Sequence, residues 1–231
     1  MPPRLDWPDC SNVRDLGGLP VADGGSIREG ALVRADSLVL LTDETVERVR
    51  RSGIGRIIDL RRPGEDVLVH PFAEDAVYRN LPVEDPADAW SGSMTLPVLY
   101  RALLDRRPRL FAAAVAAIAE APPGLVVVHC FAGKDRTGLV VALALSAVGV
   151  ADDDVVADYL RTWAEETGDE AEWMPKLRDA AVATMREVLQ HLEQEYAGAR
   201  GYLVRGGLTA RQLDLLESRL LAGPDGQGRS R

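Results

Sequence analysis

His129-Cys130-Phe131-Ala132-Gly133-Lys134-Asp135-Arg136-Thr137-Gly138 is the stretch on which the reading of this chain turns. Ahead of it, Leu125-Val126-Val127-Val128 is a short apolar run with the look of a buried strand. Behind it, Leu139 to Val148 is apolar for long enough to make a helix, and Gly149 is placed as its stop. The ten residues therefore predict a turn from a strand end into a helix N-terminus. Backbone N–H groups collect at such a turn and the helix dipole points its positive end there, so the place favours a bound anion.

Five residues separate Cys130 from Arg136. A loop of that length can curl with the sulfur at its centre and the guanidinium at its rim, its successive N–H groups forming an anion nest. Helix N-termini and cationic neighbours lower a cysteine's pKa from about 8.5 to roughly 3.5–7.5, so a thiolate nucleophile is expected here. Arg136 can grip two phosphate oxygens through its planar fork, which a lysine cannot do. The Thr137 hydroxyl is expected to donate to the sulfur and make it a better leaving group in a second step. Gly133 supplies unusual backbone angles, and Gly138 is expected to let the helix start close to the sheet. These parts describe phosphoryl transfer with a cysteine nucleophile and neither metal nor cofactor.

His-Cys-x5-Arg-Thr resembles the signature loop of the protein tyrosine phosphatases. The fuller form, with Lys134 and Asp135 inside the loop, is similar to a bacterial branch of that family. Asn12-Val13-Arg14-Asp15-Leu16-Gly17-Gly18 is similar to the N-terminal N-x-R-D-L-G-G of the same branch. Tyr196 to Leu221, with Tyr202-Leu203 and Gly207-Leu208-Thr209, resembles its C-terminal helix pair. The matches lie near both ends and in the middle, so the resemblance spans most of the chain. It implies a cysteine-dependent phosphatase, with Phe131, Ala132, Gly133, Lys134, Thr137 and Gly138 around the substrate phosphate. It also implies that Asn12 to Gly18 packs beside the loop and that residues 152–199 form a helical lid or insertion.

Two residues compete as general acid. Asp135 sits in the loop, as in the branch that the chain resembles. Asp85, in Pro82-Val83-Glu84-Asp85-Pro86, is similar to the mobile acid loop of other tyrosine phosphatases; the loop position, Asp135, is favoured. Asp59-Leu60-Arg61 ends a strand, where ligand sites of open α/β sheets gather, and the family carries a similar Asp-Leu-Arg. Asp59 and Arg61 are thus candidates beside the substrate, against a structural reading in which Arg61 pairs with Glu65. A phosphotyrosine protein is the preferred substrate and a phosphoinositide the alternative. Lys134 is similar to what lipid-directed relatives carry, but Phe131 stands where the most basic of them have a second lysine. An inactive phosphate-binding module is the rival from another class. Sulfur-transfer or arsenate-reducing enzymes need other loop spacing or resolving cysteines, and Cys10 is the one other thiol.

A chain of 231 residues, 46% of them hydrophobic, predicts one globular domain, here residues 1–223, followed by a disordered Gly-rich tail at 224–231. Twenty-seven basic against 36 acidic residues give a net charge of -9, which argues against a nucleic-acid partner and requires the phosphate site to be locally positive. Two cysteines give no disulfide framework, although oxidation could join Cys10 to Cys130; a free Cys10 is the preferred reading. His70, His129 and His191 have no zinc spacing. No apolar run approaches the ~18 residues of a membrane helix and no h-region follows Met1, so the cytoplasm is the expected location.

Along the chain, residues 1–25 read as irregular. Strands are expected at Ala31–Arg34, Ile54–Leu60 and Val77–Val83. Helices are expected from Thr42 to Gly53, Met94 to Arg107, Leu110 to Ala121, Asp152 to about Glu166, within Glu170–Glu195, and from Thr209 to about Leu221. Trp163, Trp173 and Met174 stand out as large apolar residues in the proposed lid. This alternation predicts an α/β fold with a central, mostly parallel sheet flanked by helices.

Overall fold

Leu125–His129 becomes the middle strand of the sheet, as an unbroken apolar run buried on both faces must. The structure, a computed structural model, describes residues 5–85, 94–167 and 174–222. Its elements in chain order are β1 (Arg14–Asp15), β2 (Pro20–Val21), β3 (Gly25–Ser26), β4 (Val33–Ala35), α1 (Asp43–Arg51), β5 (Ile54–Asp59), β6 (Tyr78–Asn80), α2 (Leu96–Arg106), α3 (Pro108–Ala119), β7 (Leu125–His129), α4 (Asp135–Ala147), α5 (Asp152–Thr167), α6 (Met174–Tyr196), α7 (Gly198–Arg205) and α8 (Ala210–Leu220).

The main sheet runs β1-β4-β7-β5-β6. β4, β5 and β6 are joined in parallel through β7 and β5, and only β1 is antiparallel. Alternation along the strands sorts their side chains into two cores. Val126, Val128 and Ile58 face a large cluster built with α2 to α8. Val127, Val33 and Ile57 face a smaller one with Trp7, Cys10, Leu38, Phe72 and Val46 and Val49 of α1. The register sets Ala35, His129 and Asp59 side by side at the carboxyl ends of β4, β7 and β5, where an open α/β sheet places its ligands.

Local chemistry explains the element ends. Thr42 caps α1 by accepting from the Thr45 N–H, and Asp43 and Glu44 occupy the first turn. Thr209 and Gln212 form a capping box on α8. Pro108, expected between two helices, is instead the first residue of α3, where its missing N–H costs nothing. β6 is shorter than the expected Val77–Val83 strand, consistent with Pro82 lacking a ladder donor. The stretch read as irregular holds three two-residue strands, too short to leave a periodic signature.

The expected lid is in large part core. Val155, Val156 and Tyr159 of α5 and Ala181, Met185, Val188, Leu189 and Leu192 of α6 are buried in the large cluster. The side chains of Trp163, Trp173 and Met174, on which the lid reading leaned, lie outside the described residues, as does the tail from 223 onward.

Candidate active site

The loop from Cys130 to Arg136 leaves the end of β7 and enters α4 at Asp135. Four consecutive carbonyls of this loop are tied to protein donors. His129 Nδ1 lies 3.2 Å from the Cys130 oxygen. The Ser37 N–H donates to Phe131 at 2.8 Å. Asn12 Nδ2 donates to Ala132 at 3.0 Å, and an Arg34 guanidinium nitrogen to Gly133 at 2.6 Å. In a trans peptide the C=O and the following N–H point opposite ways. Tying down these four carbonyls therefore turns the N–H groups of residues 131–134 away from their holders. Gly133 is required here: its φ is +67° and a Cβ would come within 2.4 Å of the Ala35 oxygen. Gly138 does a different job from the one expected. Its absent Cβ makes room for the Tyr159 ring of α5, 3.0 Å away, rather than for the sheet.

Behind the loop lies a buried charge cluster. Asp158 of α5 accepts from Arg14 Nε at 2.8 Å and from Arg34 at 2.5 Å. Arg14 also donates to the Asp158 carbonyl, to Thr162 and to Asn12 Oδ1. Burial and the neighbouring Arg34 push the Arg14 pKa down to about 10. The two arginines hold the Asp158 carboxyl below its usual range although burial opposes this. The expected packing of Asn12 to Gly18 against the loop thus has a concrete form: Asn12 holds a loop carbonyl and Arg14 holds Asn12. Asp15 instead accepts from the N–H groups of Gly17 and Gly30 and closes its own turn.

Asp59 and Arg61 pair with each other beneath the site. Asp59 accepts from the Arg61 N–H, from its Nε and terminal nitrogen, and from the Tyr78 hydroxyl. Burial works to raise the Asp59 pKa, but the Arg61 hydrogen bonds prevail and bring it to about 2. Arg61 also reaches Ser37 and Asp66. Glu65, the expected structural partner of Arg61, pairs elsewhere.

Beside this pair, His70 and His129 meet Nε2 to Nε2 at 3.2 Å. The Phe72 N–H donates to His70 Nδ1, so His70 carries its proton on Nε2 and donates to His129. His129 then carries its proton on Nδ1, facing the Cys130 carbonyl. Burial and the His129 neighbour lower the His70 pKa to about 3, and burial lowers that of His129. Asp59, His70 and His129 present ligand atoms within 4.8 Å of one another, the one such group among the described residues. The histidine nitrogens serve the hydrogen-bond chain to Cys130 and the Asp59 oxygens accept from Arg61 and Tyr78, so the group reads as loop support rather than as a metal site.

At the front, Cys130 is buried and not disulfide-bonded. Cys10 is also buried and packs in the smaller core, whereas Cys130 packs in the larger. The Arg136 fork is already engaged: its two terminal nitrogens donate to the two oxygens of Glu65, each at 2.6 Å. These bonds hold the guanidinium charged despite burial and lower the Glu65 carboxyl. They leave the Nε–H and one further N–H on each terminal nitrogen for another anion. Glu84 Oε2 lies 3.7 Å from Arg136 and 3.9 Å from Arg62.

Asp135, next to Arg136, accepts from the Tyr100 hydroxyl, which lies 3.0 Å from that of Tyr159. Burial and the Asp135 charge push the Tyr100 hydroxyl well above its usual pKa. Asp85 faces Arg107 at 3.5 Å. Lys134 occupies the N-cap position of α4 and Ala132 is partly buried, while Phe131 is 61% exposed at the loop's outer edge. The Thr137 hydroxyl is fully buried and has no hydrogen-bond partner among the described residues, so the expected bond to Cys130 is not made.

Sequence reasoning missed Arg34, Asp158, Tyr100, Glu65 and Glu84. Glu84 adjoins the Asp85 that was singled out, and Glu65 follows the Asp-Leu-Arg run. Asp158 left no local signal, because its partners lie 144 and 124 residues away.

A profile of the tyrosine phosphatase family matches residues 5–222. A Cupriavidus necator protein assigned to the tyrosine-protein phosphatases is 34% identical over 175 residues, covering 68% of this chain; the chain spans about 62% of that protein's length. The triple specificity protein phosphatase PtpB of Mycobacterium tuberculosis is 32% identical over 194 residues, covering 68% of each chain. A tyrosine-protein phosphatase of Nostoc commune is 27% identical over 228 residues, covering 87% of this chain and 78% of its own.

Proposed function

The chain belongs to the tyrosine phosphatase family, and from that premise we propose that it hydrolyses phosphotyrosine in proteins through a phosphocysteine intermediate. The observation that carries the reading is the set of four tied carbonyls, which leaves the N–H groups of residues 131–134 to face an anion beside Cys130 and Arg136. In the first step the Cys130 thiolate attacks phosphorus. The loop N–H groups and the spare N–H groups of Arg136 hold the growing negative charge, donors fixed before the charge arrives. Glu65 fixes the plane of the guanidinium during this step. A carboxylic acid protonates the departing oxygen as the P–O bond breaks. In the second step water attacks phosphorus and gives a proton to the carboxylate left by the first step, the S–P bond breaks, and the Thr137 hydroxyl donates a hydrogen bond to the returning thiolate.

Lys134 adds positive charge at the rim, and Phe131 offers an apolar surface to whatever carries the phosphate. Asp59 and Arg61 act through the loop rather than on substrate, since their polar atoms are spent on each other, Ser37, Asp66 and Tyr78. The M. tuberculosis relative is named for triple specificity, and breadth of that kind is the second reading, with phosphoinositides as the further class. No described helix is long and apolar enough to cross a membrane. The reaction as written uses no metal and no cofactor.

The test is Cys130→Ser. Turnover of p-nitrophenyl phosphate in EDTA is expected to fall to background, with vanadate still bound by the loop and Arg136. Turnover that survives the substitution overturns the mechanism.

A further inference from the structure

The general acid of the proposed reaction has three structural candidates, and their surroundings differ. Asp135 accepts a hydroxyl hydrogen from Tyr100. Asp85 is turned to Arg107, 3.5 Å away. Glu84 makes no hydrogen bond among the described residues. Its side chain is 22% exposed and its Oε2 lies 3.7 Å from the guanidinium that would hold the phosphate.

We propose that Glu84 is the catalytic acid, delivering its proton to the leaving oxygen of the phosphate held by Arg136. The inference rests on the phosphatase reading above. Arg136 is gripped on one side by Glu65 and approached on the same terminal nitrogen by Glu84, so a phosphate on that arginine lies within the reach of one Glu side chain. The charged groups facing Glu84 are Arg136 and Arg62, which favour its carboxylate, and Glu65 and Asp135, which oppose it. Burial adds to the opposition, and the balance raises its pKa above the usual glutamate value. An arriving phosphate adds negative charge and pushes the same way.

The step balances. The S–P bond forms as the P–O bond breaks, and the Glu84 proton moves to the leaving oxygen. In the second step the Glu84 carboxylate takes a proton from the attacking water as the S–P bond breaks, which restores the acid and the thiolate. The two unused carboxyls keep other tasks: Asp135 orders the first turn of α4 through Tyr100, and Asp85 anchors its own segment to Arg107.

The experiment compares Glu84→Gln, Asp135→Asn and Asp85→Asn on p-nitrophenyl phosphate and on phenyl phosphate, whose leaving group needs a proton far more. Glu84→Gln should lose roughly 10²–10⁴-fold on phenyl phosphate and much less on the nitrophenyl ester, and should lose the alkaline limb of the kcat/KM profile. Equal loss on both esters by Glu84→Gln would mean that Glu84 only steers Arg136, and overturns the assignment. So would a selective loss in either aspartate variant. Wild-type protein that turns over neither ester removes the phosphatase reading itself, and the Glu84 role with it. Thermal unfolding of each variant separates these outcomes from loss of fold.

Discussion

Two arginine clusters flank the same loop with opposite charge balance. Behind it, Arg14 and Arg34 share one carboxylate, Asp158, and all three side chains are at most 2% exposed. In front, Arg136 meets Glu65 and Glu84, with Asp135 beside it and Arg62 at the edge. The rear cluster is a net cation that is spent on holding loop carbonyls. It also supplies, inside a chain of net charge -9, part of the positive field that a phosphate needs. The front cluster is carboxylate-rich, and a surplus of carboxylates around one arginine is the condition under which one of them keeps a proton. The comparison teaches a division of labour. Where each charge is matched by hydrogen bonds the cluster fixes geometry; where a carboxyl is left over the cluster can move a proton.

The largest effect should come from the rear. Asp158→Asn keeps the shape but leaves Arg14 and Arg34 without a counter-charge in a dry site. Breaking a buried pair in this way costs about 3–5 kcal/mol. A drop of that size in chemical-denaturation stability is expected, together with lost turnover, because Arg34 no longer holds Gly133. A variant of wild-type stability would show that the rear cluster does not hold the loop. Next in size is Leu192→Ala in α6, which tests whether the helices behind Asp158 are core or lid. Leu192 is 1% exposed, so the expected cost is about 2–5 kcal/mol. Near-zero cost would return α6 to the lid reading.

Legibility followed the same division. β7, the loop and α4 could be read directly, because strand, turn and helix are contiguous and each leaves a local pattern. The helix starts at Thr42 and Thr209 were legible for the same reason, whereas the capping box that Gln212 completes was not read. Arg14 could be placed near the loop only through its resemblance to a family motif, and Asp158 not at all. It lies among Asp152, Asp153 and Asp154 and Glu165 and Glu166 in a helix that was expected as part of a lid. Only the tertiary fold distinguishes it, by bringing two strand arginines against it. The front failed differently. Glu65 and Glu84 sit in loops where an acidic residue is ordinary, and the expected partner of Glu65 was Arg61, close by in sequence. Short-range pairing rules had no means of finding Arg136, 71 residues on.

The smallest effect, and the sharpest for the comparison, concerns Thr137. Its hydroxyl lies in the first turn of α4, buried, with no hydrogen-bond partner among the described residues. A buried polar group left unsatisfied costs about 1–3 kcal/mol, so a fold selected for stability alone would have an apolar residue there. Valine has nearly the same shape. Thr137→Val should therefore leave stability unchanged or raise it by about 1 kcal/mol, read as a higher midpoint in urea. If the hydroxyl exists to receive the thiolate of Cys130 in the second step, the same variant should hydrolyse its phosphocysteine slowly. Rapid-mixing experiments with p-nitrophenyl phosphate would then show a burst of nitrophenol followed by a slower steady state. A stabilised variant with a burst places the orphan hydroxyl with the front cluster, as a cost in stability retained for chemistry. A destabilised variant without a burst places Thr137 with the rear cluster, as one more residue that holds the loop in shape.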